Sequence, residues 1–203
     1  MGAIVLAKCL VTTEADWEPV KLKSEYIRLA QEKGSLQEKQ SKERKLRDRA
    51  INKDPEASLT NTILSKYAEY AVRQYTGDVA RVTNPGEFHQ YPDVGQCNVR
   101  FIGDPEDGLM IQDGDQGELP MVLATMKDAI FTDETIWLIG WGMTDQLRRL
   151  VYLINSQRAN KSWGMIANME PHEQFVYPRS MLNPMRTLSK EYINTPYIKK
   201  PKK

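Results

Sequence analysis

The chain reads as an α/β or α+β fold, one sheet carried by helices, and three observations in its 203 residues predict this. A strongly periodic helical segment occupies Ser58–Tyr75, several short apolar runs separated by Gly/Asp turns follow it, and helical patterns flank both. With 40% hydrophobic residues and a formal net charge of +1, a chain of this length can bury one substantial core, so a single main domain with appendages is expected.

Taken in order, Ala3–Val11 is apolar, of strand length, and lacks a cleavage-site pattern. Leu22–Arg49 reads as helix with a break at Gly34-Ser35. Its Leu22, Ile27, Leu29, Leu36 and Leu46 are too sparse for a fully buried face, so it is expected to be mostly solvated. Lys21–Lys53 carries eleven Lys/Arg against five Asp/Glu, which suits either a solvent-exposed helical face or contacts to phosphates. Asp54-Pro55 interrupts it.

From Ser58 to Tyr75, Leu59, Ile63, Leu64, Tyr67, Ala68, Ala71, Val72 and Tyr75 recur at helical spacing, with Ser58 as N-cap and Gly77 as stop. Glu69 lies on the edge of that stripe, as either one more exposed helical acid or a carboxylate held against the sheet. Gln96–Ile102, Leu109–Gln112 and Met121–Thr125 then read as strands of a meander, joined by acidic turns. Glu134–Met143 adds a fourth strand, whose Gly140 and Gly142 predict a close backbone approach or a bend. Thr144–Asn155 is a short helix, and Lys161–Leu188 is irregular, with Val176–Leu182 expected to pack back on the core. The segmentation is 1–57, an N-terminal strand and charged helix; 58–190, the core; and 191–203, a basic, flexible tail ending Lys199-Lys200-Pro201-Lys202-Lys203.

Several function classes are disfavoured. No stretch reaches the roughly 18 apolar residues of a membrane span, so a soluble cytoplasmic protein without a membrane partner is expected. Two cysteines, Cys9 and Cys97, are too few for a disulfide framework or a four-ligand zinc site. There is no phosphate-binding loop and no nucleophile elbow. Arg100–Thr135 carries nine acids against two cations, and would repel nucleic acid unless cations screened it or the acids pointed away.

The chemistry concentrates in Tyr91–Arg100, where a Pro92-Asp93 turn sets a carboxylate just ahead of a strand. Asn98 and Arg100 are two apart and share a strand face, while Cys97, Val99 and Phe101 take the other. Glu69, Asp93, the Asn98 amide oxygen and Arg100 form a set suited to phosphodiester hydrolysis, because Mg²⁺ commonly uses one or two protein carboxylates and a cation stabilises charge on the phosphate. Arg100 is restricted to electrostatics, where a lysine could also exchange a proton. Asn98 stands where a charged ligand would hold the metal better. The same residues equally describe an ordinary strand-entry turn followed by a surface cation on an edge strand.

The order of segments resembles a small family of bacteriophage-encoded proteins similar to PD-(D/E)xK nucleases. In that family a Gly/Ala-Glu-x-Ala-Val helix precedes a Pro-Asp-Val-Gly turn and an acid-Val-Arg strand; here these are Ala68-Glu69-Tyr70-Ala71-Val72, Pro92-Asp93-Val94-Gly95 and Asn98-Val99-Arg100. Leu109-Met110-Ile111, Met121-Val122-Leu123, Gly140-Trp141 and Val176-Tyr177-Pro178-Arg179-Ser180-Met181-Leu182 follow in the family's order, so the resemblance covers about Thr62–Leu188. It implies a restriction-endonuclease-like core, a central mixed sheet flanked by helices, with a long charged N-terminal helix. It also implies Glu69 and Asp93 as Mg²⁺ ligands (Mn²⁺ as substitute), joined by Asn98, with Arg100 as the cation. Asn98 departs from the family's acid and puts catalysis in question. Asp113 or Asp115 could replace that acid if their turn folds over the site, and His89 could serve as ligand or base; His172 has a weaker claim.

Three readings stand at this point. The first is a Mg²⁺-dependent DNA endonuclease of the host cytoplasm. The second is a catalytically inactive relative that binds DNA or a protein partner. The third is a virion-associated structural protein in which Trp137, Trp141, Trp163 and Tyr177 pack a core or an interface.

Overall fold

The computed structural model describes residues 13–43, 55–87, 90–103, 109–111, 118–127, 134–147, 175–177 and 179–197. They form an α+β arrangement in which a four-stranded mixed sheet is flanked by helices. Strand β1 (Glu18–Lys21) leads into helix α1 (Ser24–Glu43), and helix α2 (Pro55–Tyr75) precedes β2 (Asn98–Ile102). Then come β3 (Leu109–Ile111), β4 (Pro120–Thr125), β5 (Thr135–Met143), β6 (Phe175–Tyr177) and a short helix α3 (Lys190–Asn194).

The main sheet has the order β1-β5-β4-β2, and β3 pairs with β6 in a separate two-stranded sheet. All six residues of β4 are buried, because the strand is covered on both faces. Val122 and Ala124 point into a core shared with α1 and α2, where Tyr26, Ala30, Tyr67, Tyr70, Ala71 and Val72 meet Val99, Ile136 and Leu138. Met121 and Leu123 point into a second core with Leu109, Ile111, Ile139, Leu147, Leu182 and Trp17. A continuous apolar run is what a doubly covered strand requires.

The meander expected from the sequence is not formed. β2 and β4 run parallel, with Asn98 opposite Met121 and Arg100 opposite Leu123. Parallel neighbours need a crossover, and β3 lies within that crossover, leaving the main sheet to pair with β6 more than sixty residues on. Gly140 makes the close backbone approach that the sequence suggests, whereas Gly142 is closed in by the Leu147 side chain. Trp141 and Asn183 exchange backbone hydrogen bonds of 2.9 and 2.8 Å, and a Cβ on Gly140 would lie 2.8 Å from the Asn183 carbonyl oxygen.

Helix α1 also departs from expectation. It runs unbroken through Gly34-Ser35, and Tyr26, Ala30 and Gly34, spaced four apart, form a buried stripe against α2. A Cβ at Gly34 would sit 2.8 Å from Ile63 Cγ1 and 3.0 Å from Ile63 Cα, so glycine here permits a close helix crossing. Most of the other side chains of α1 stay exposed or half-exposed, as the sparse leucines suggest, but the buried stripe is built from Tyr26, Ala30 and Gly34 instead of leucines. Its four acids (Glu25, Glu32, Glu38, Glu43) balance four cations (Arg28, Lys33, Lys39, Lys42). The cation-rich stretch 44–53 and the predicted strand Ala3–Val11 lie outside the described residues.

Part of the segment expected as a flexible tail is docked. Ile193 is fully buried, its carbonyl accepts the Gln96 N–H at 3.1 Å, and Asn194 Nδ2 donates to the Thr76 carbonyl at 2.7 Å.

Candidate functional site

From Lys66 to Val72 every residue of α2 is buried. Two of these seven are charged, Lys66 and Glu69, and one helical turn brings them together. Lys66 Nζ donates to both carboxylate oxygens of Glu69, at 2.7 and 2.9 Å. Burial pushes the Glu69 carboxyl up; the Lys66 ammonium opposes that shift and the Asp93 carboxylate adds to it, leaving the group at about 7.

Helix α1 adds Lys33 to the cluster. Its Nζ donates to the Val82 carbonyl at 3.2 Å and lies 5.7 Å from the centre of the Tyr70 ring. Burial lowers the Lys33 pKa, and the attraction of Glu69 works against that shift. Val82 forms a bridge with Val94, and the Thr83 N–H donates to the Asp93 carbonyl at 2.9 Å while the Thr83 hydroxyl donates to the Pro92 carbonyl. The Pro92-Asp93 turn is thereby hooked to the segment that receives Lys33. Gly95 completes the turn with φ +53°, against the Ile193 carbonyl.

Asp93 lies along the outer edge of β2. Its Oδ2 accepts the Val99 N–H at 2.8 Å, and Arg100 Nη1 stands 3.9 Å from the same oxygen. The two side chains are 20% and 28% exposed, in contrast to 6% and 7% for Lys66 and Glu69. Cys97 is buried, its thiol donates to the Asn98 carbonyl at 3.1 Å, and burial followed by the Asp93 charge raises its pKa.

The four sequence-predicted residues are thus only partly gathered. Glu69 and Asp93 come within electrostatic reach of each other, and Asp93 meets Arg100. Asn98 does not join them. Val99 packs into the core beneath α2, so Asn98 and Arg100 alternate onto the opposite face, in register with Met121 and Leu123 of the second core. Arg100 reaches back to the sheet edge; the Asn98 side chain makes no hydrogen bond among the described residues.

A magnesium ion fits this arrangement poorly. Both Glu69 oxygens are engaged by an ammonium group, one Asp93 oxygen by a backbone N–H, and the amide expected as third ligand leaves the other face of the sheet. Among the described residues no three His, Cys, Asp or Glu side chains gather as a metal-holding group. His89, Asp113, Asp115 and His172 lie outside the described residues.

Lys66 and Lys33 were not singled out by the sequence. For Lys66 a signal existed, a cation three residues before Glu69 within the most apolar helix. For Lys33 there was none, since its place depends on how α1 crosses α2.

Comparisons of the chain with family models, with curated proteins and with solved structures find no match. Among the described residues, no helix is long and apolar enough to cross a membrane.

Proposed function

We propose that this chain is a nuclease-like protein that binds DNA and, with its site closed by Lys66, does not cleave it. The observation that carries the reading is the Lys66 ammonium seated on both oxygens of Glu69, the helix acid that the phage nuclease-like pattern assigns to metal. Asn98, in place of that pattern's second strand acid, points the same way. The resemblance in segment order supports a restriction-endonuclease-like descent and a place in a phage-infected host cytoplasm. Phosphate contacts fall to Arg100 at the sheet edge and to the basic stretches within Lys21–Lys53 and at Lys199–Lys203.

Fluorescence anisotropy with duplex and single-stranded DNA across a salt series, run beside plasmid cleavage with Mg²⁺, Mn²⁺ or EDTA, tests this. Binding that weakens steeply with salt, without cleavage, is expected. Absence of binding at low salt overturns the DNA reading and turns attention to a protein or virion partner.

A Mg²⁺-dependent deoxyribonuclease is the second reading, favoured by the approach of Asp93 to Glu69. The Asp93 charge adds to the upward shift of the Glu69 carboxyl, a disposition that a divalent ion relieves. Cleavage by the unmodified chain, lost in Asp93→Ala, selects it.

A further inference from the structure

We propose that Tyr91, Tyr197 and Arg81, with the lysines that follow Tyr197 in sequence, form a surface for single-stranded DNA, on which the two rings stack unpaired bases and the cations take the phosphates. The inference rests on the reading of the chain as a DNA-binding protein, and names the strand form and the residues that hold it.

Direct contacts gather these residues from three separate parts of the chain. The Tyr91 and Tyr197 rings meet edge to face, their centroids 6.3 Å apart and their planes at 78°. The Arg81 guanidinium lies 5.6 Å from the centre of the Tyr91 ring. Gln96 holds the segment that carries Tyr197, since its Nε2 donates to the Pro196 carbonyl at 2.9 Å and its N–H to the Ile193 carbonyl at 3.1 Å. The Gly95 N–H donates to the Arg81 carbonyl at 2.9 Å, which ties the turn after Tyr91 to the third part.

Core packing does not account for the two rings. Both are half-buried, Arg81 is exposed, and neither ring belongs to either core. Arg81 pairs with Glu87, and Arg100 stands 3.9 Å from Asp93, so these four groups cancel one another in charge. The excess positive charge comes from Lys199, Lys200, Lys202 and Lys203, which lie outside the described residues. Chain connectivity keeps all four within roughly 22 Å of Tyr197, at roughly 3.6 Å per residue. Lysines leashed to a pair of partly exposed rings suit an unpaired strand, because cations follow its backbone and every base has a face to stack. A duplex keeps its bases stacked internally and gains the charge contacts alone.

The test is fluorescence anisotropy with a labelled oligothymidylate and with a labelled duplex, for the unmodified chain, Tyr91→Leu, Tyr197→Leu and a variant with the four tail lysines changed to Gln. Leucine keeps apolar packing and every charge but cannot stack. Each Tyr→Leu change is expected to weaken oligothymidylate binding about tenfold, the order of one lost stacking contact, and to leave duplex binding within about twofold. The lysine variant weakens both. In parallel, photo-crosslinking of the unmodified chain to a 4-thiothymidine strand is expected to mark Tyr91 or Tyr197, a readout that does not depend on any variant folding. Folded Tyr91→Leu and Tyr197→Leu that bind oligothymidylate as the unmodified chain does overturn the inference, as do equal losses for strand and duplex, or crosslinks confined to other residues. Those results leave DNA binding itself standing. Absence of binding to either probe at low salt overturns the DNA reading and this inference together.

Discussion

Lys66 and Glu69 hold opposite charges in a part of α2 where water reaches neither, so each depends on the other for solvation. Removing one member of such a pair typically costs about 3–5 kcal/mol, whereas replacing both with apolar groups is often neutral. Lys66→Met is therefore expected to lose about that much stability at pH 8, and Lys66→Met/Glu69→Leu to recover most of it. Burial pushes the Glu69 carboxyl from its ordinary 4.5 up to about 7 in the folded chain, so the folded state binds more protons between those limits and stability falls as pH rises through them. Without Lys66 the carboxyl moves higher still, and the loss is smaller at pH 5, where Glu69 protonates, than at pH 8. Urea denaturation at both pH values checks this; equal losses would show that Glu69 is not the partner whose charge matters.

Asp93 has a structural duty that a turn motif does not reveal. Asp93→Ala removes the acceptor of a part-buried Val99 N–H and should cost about 1–3 kcal/mol, with Asp93→Asn costing less. Chemical denaturation of the two variants measures the difference. Glu69 as a notable helix acid and Asp93 as the turn acid were legible in the sequence, because local spacing defines both. The shared face of Asn98 and Arg100 was legible too. Which way that face looks is not legible locally: Cys97 and Val99 pack beneath α2, and this sends Asn98 away from Glu69.

Among the elements, α1 shows what periodicity of large apolar residues overlooks. Its buried stripe is Tyr26, Ala30 and Gly34, and a glycine that reads as a helix breaker is the residue that lets two helices touch. Gly34→Val is expected to destabilise by about 1–3 kcal/mol through overpacking against Ile63, and even Gly34→Ala should lose stability despite a helix-propensity gain of up to about 1 kcal/mol. Thermal melts of both variants decide it, and a stabilised Gly34→Ala would mean that α1 can shift away from α2. Strand identities for β2, β4 and β5 were legible from apolar runs between turns. Their pairing was not, because a parallel β2–β4 contact and a β3–β6 contact join residues far apart in the chain, and no local pattern carries that information.

At the scale of the whole molecule, the sheet separates two cores, and the C-terminal residues close the one that contains the site. Ile193 joins the α1/α2 core, its carbonyl anchors Gln96, and Asn194 caps the Thr76 carbonyl at the end of α2. Truncation after Leu188 is expected to cost about 1.5–3 kcal/mol from the loss of isoleucine burial alone. It should also speed amide hydrogen exchange at residues 94–97, next to the Asp93 turn, more than in β4. Uniform acceleration across both would show that the segment stabilises the fold globally rather than the turn. A charged tail is legible as composition, whereas the single isoleucine that docks it depends on a pocket formed by the rest of the fold.

Among the described residues strand β2 borders only β4, so its far side would ordinarily present backbone donors to any other extended chain. The carboxylate of Asp93 takes the Val99 donor on that side and stations a charge beside it. A charge at that place is expected to guard the border of the sheet against self-association. Its loss would register in concentrated solution as aggregation, even where no nucleic acid is present.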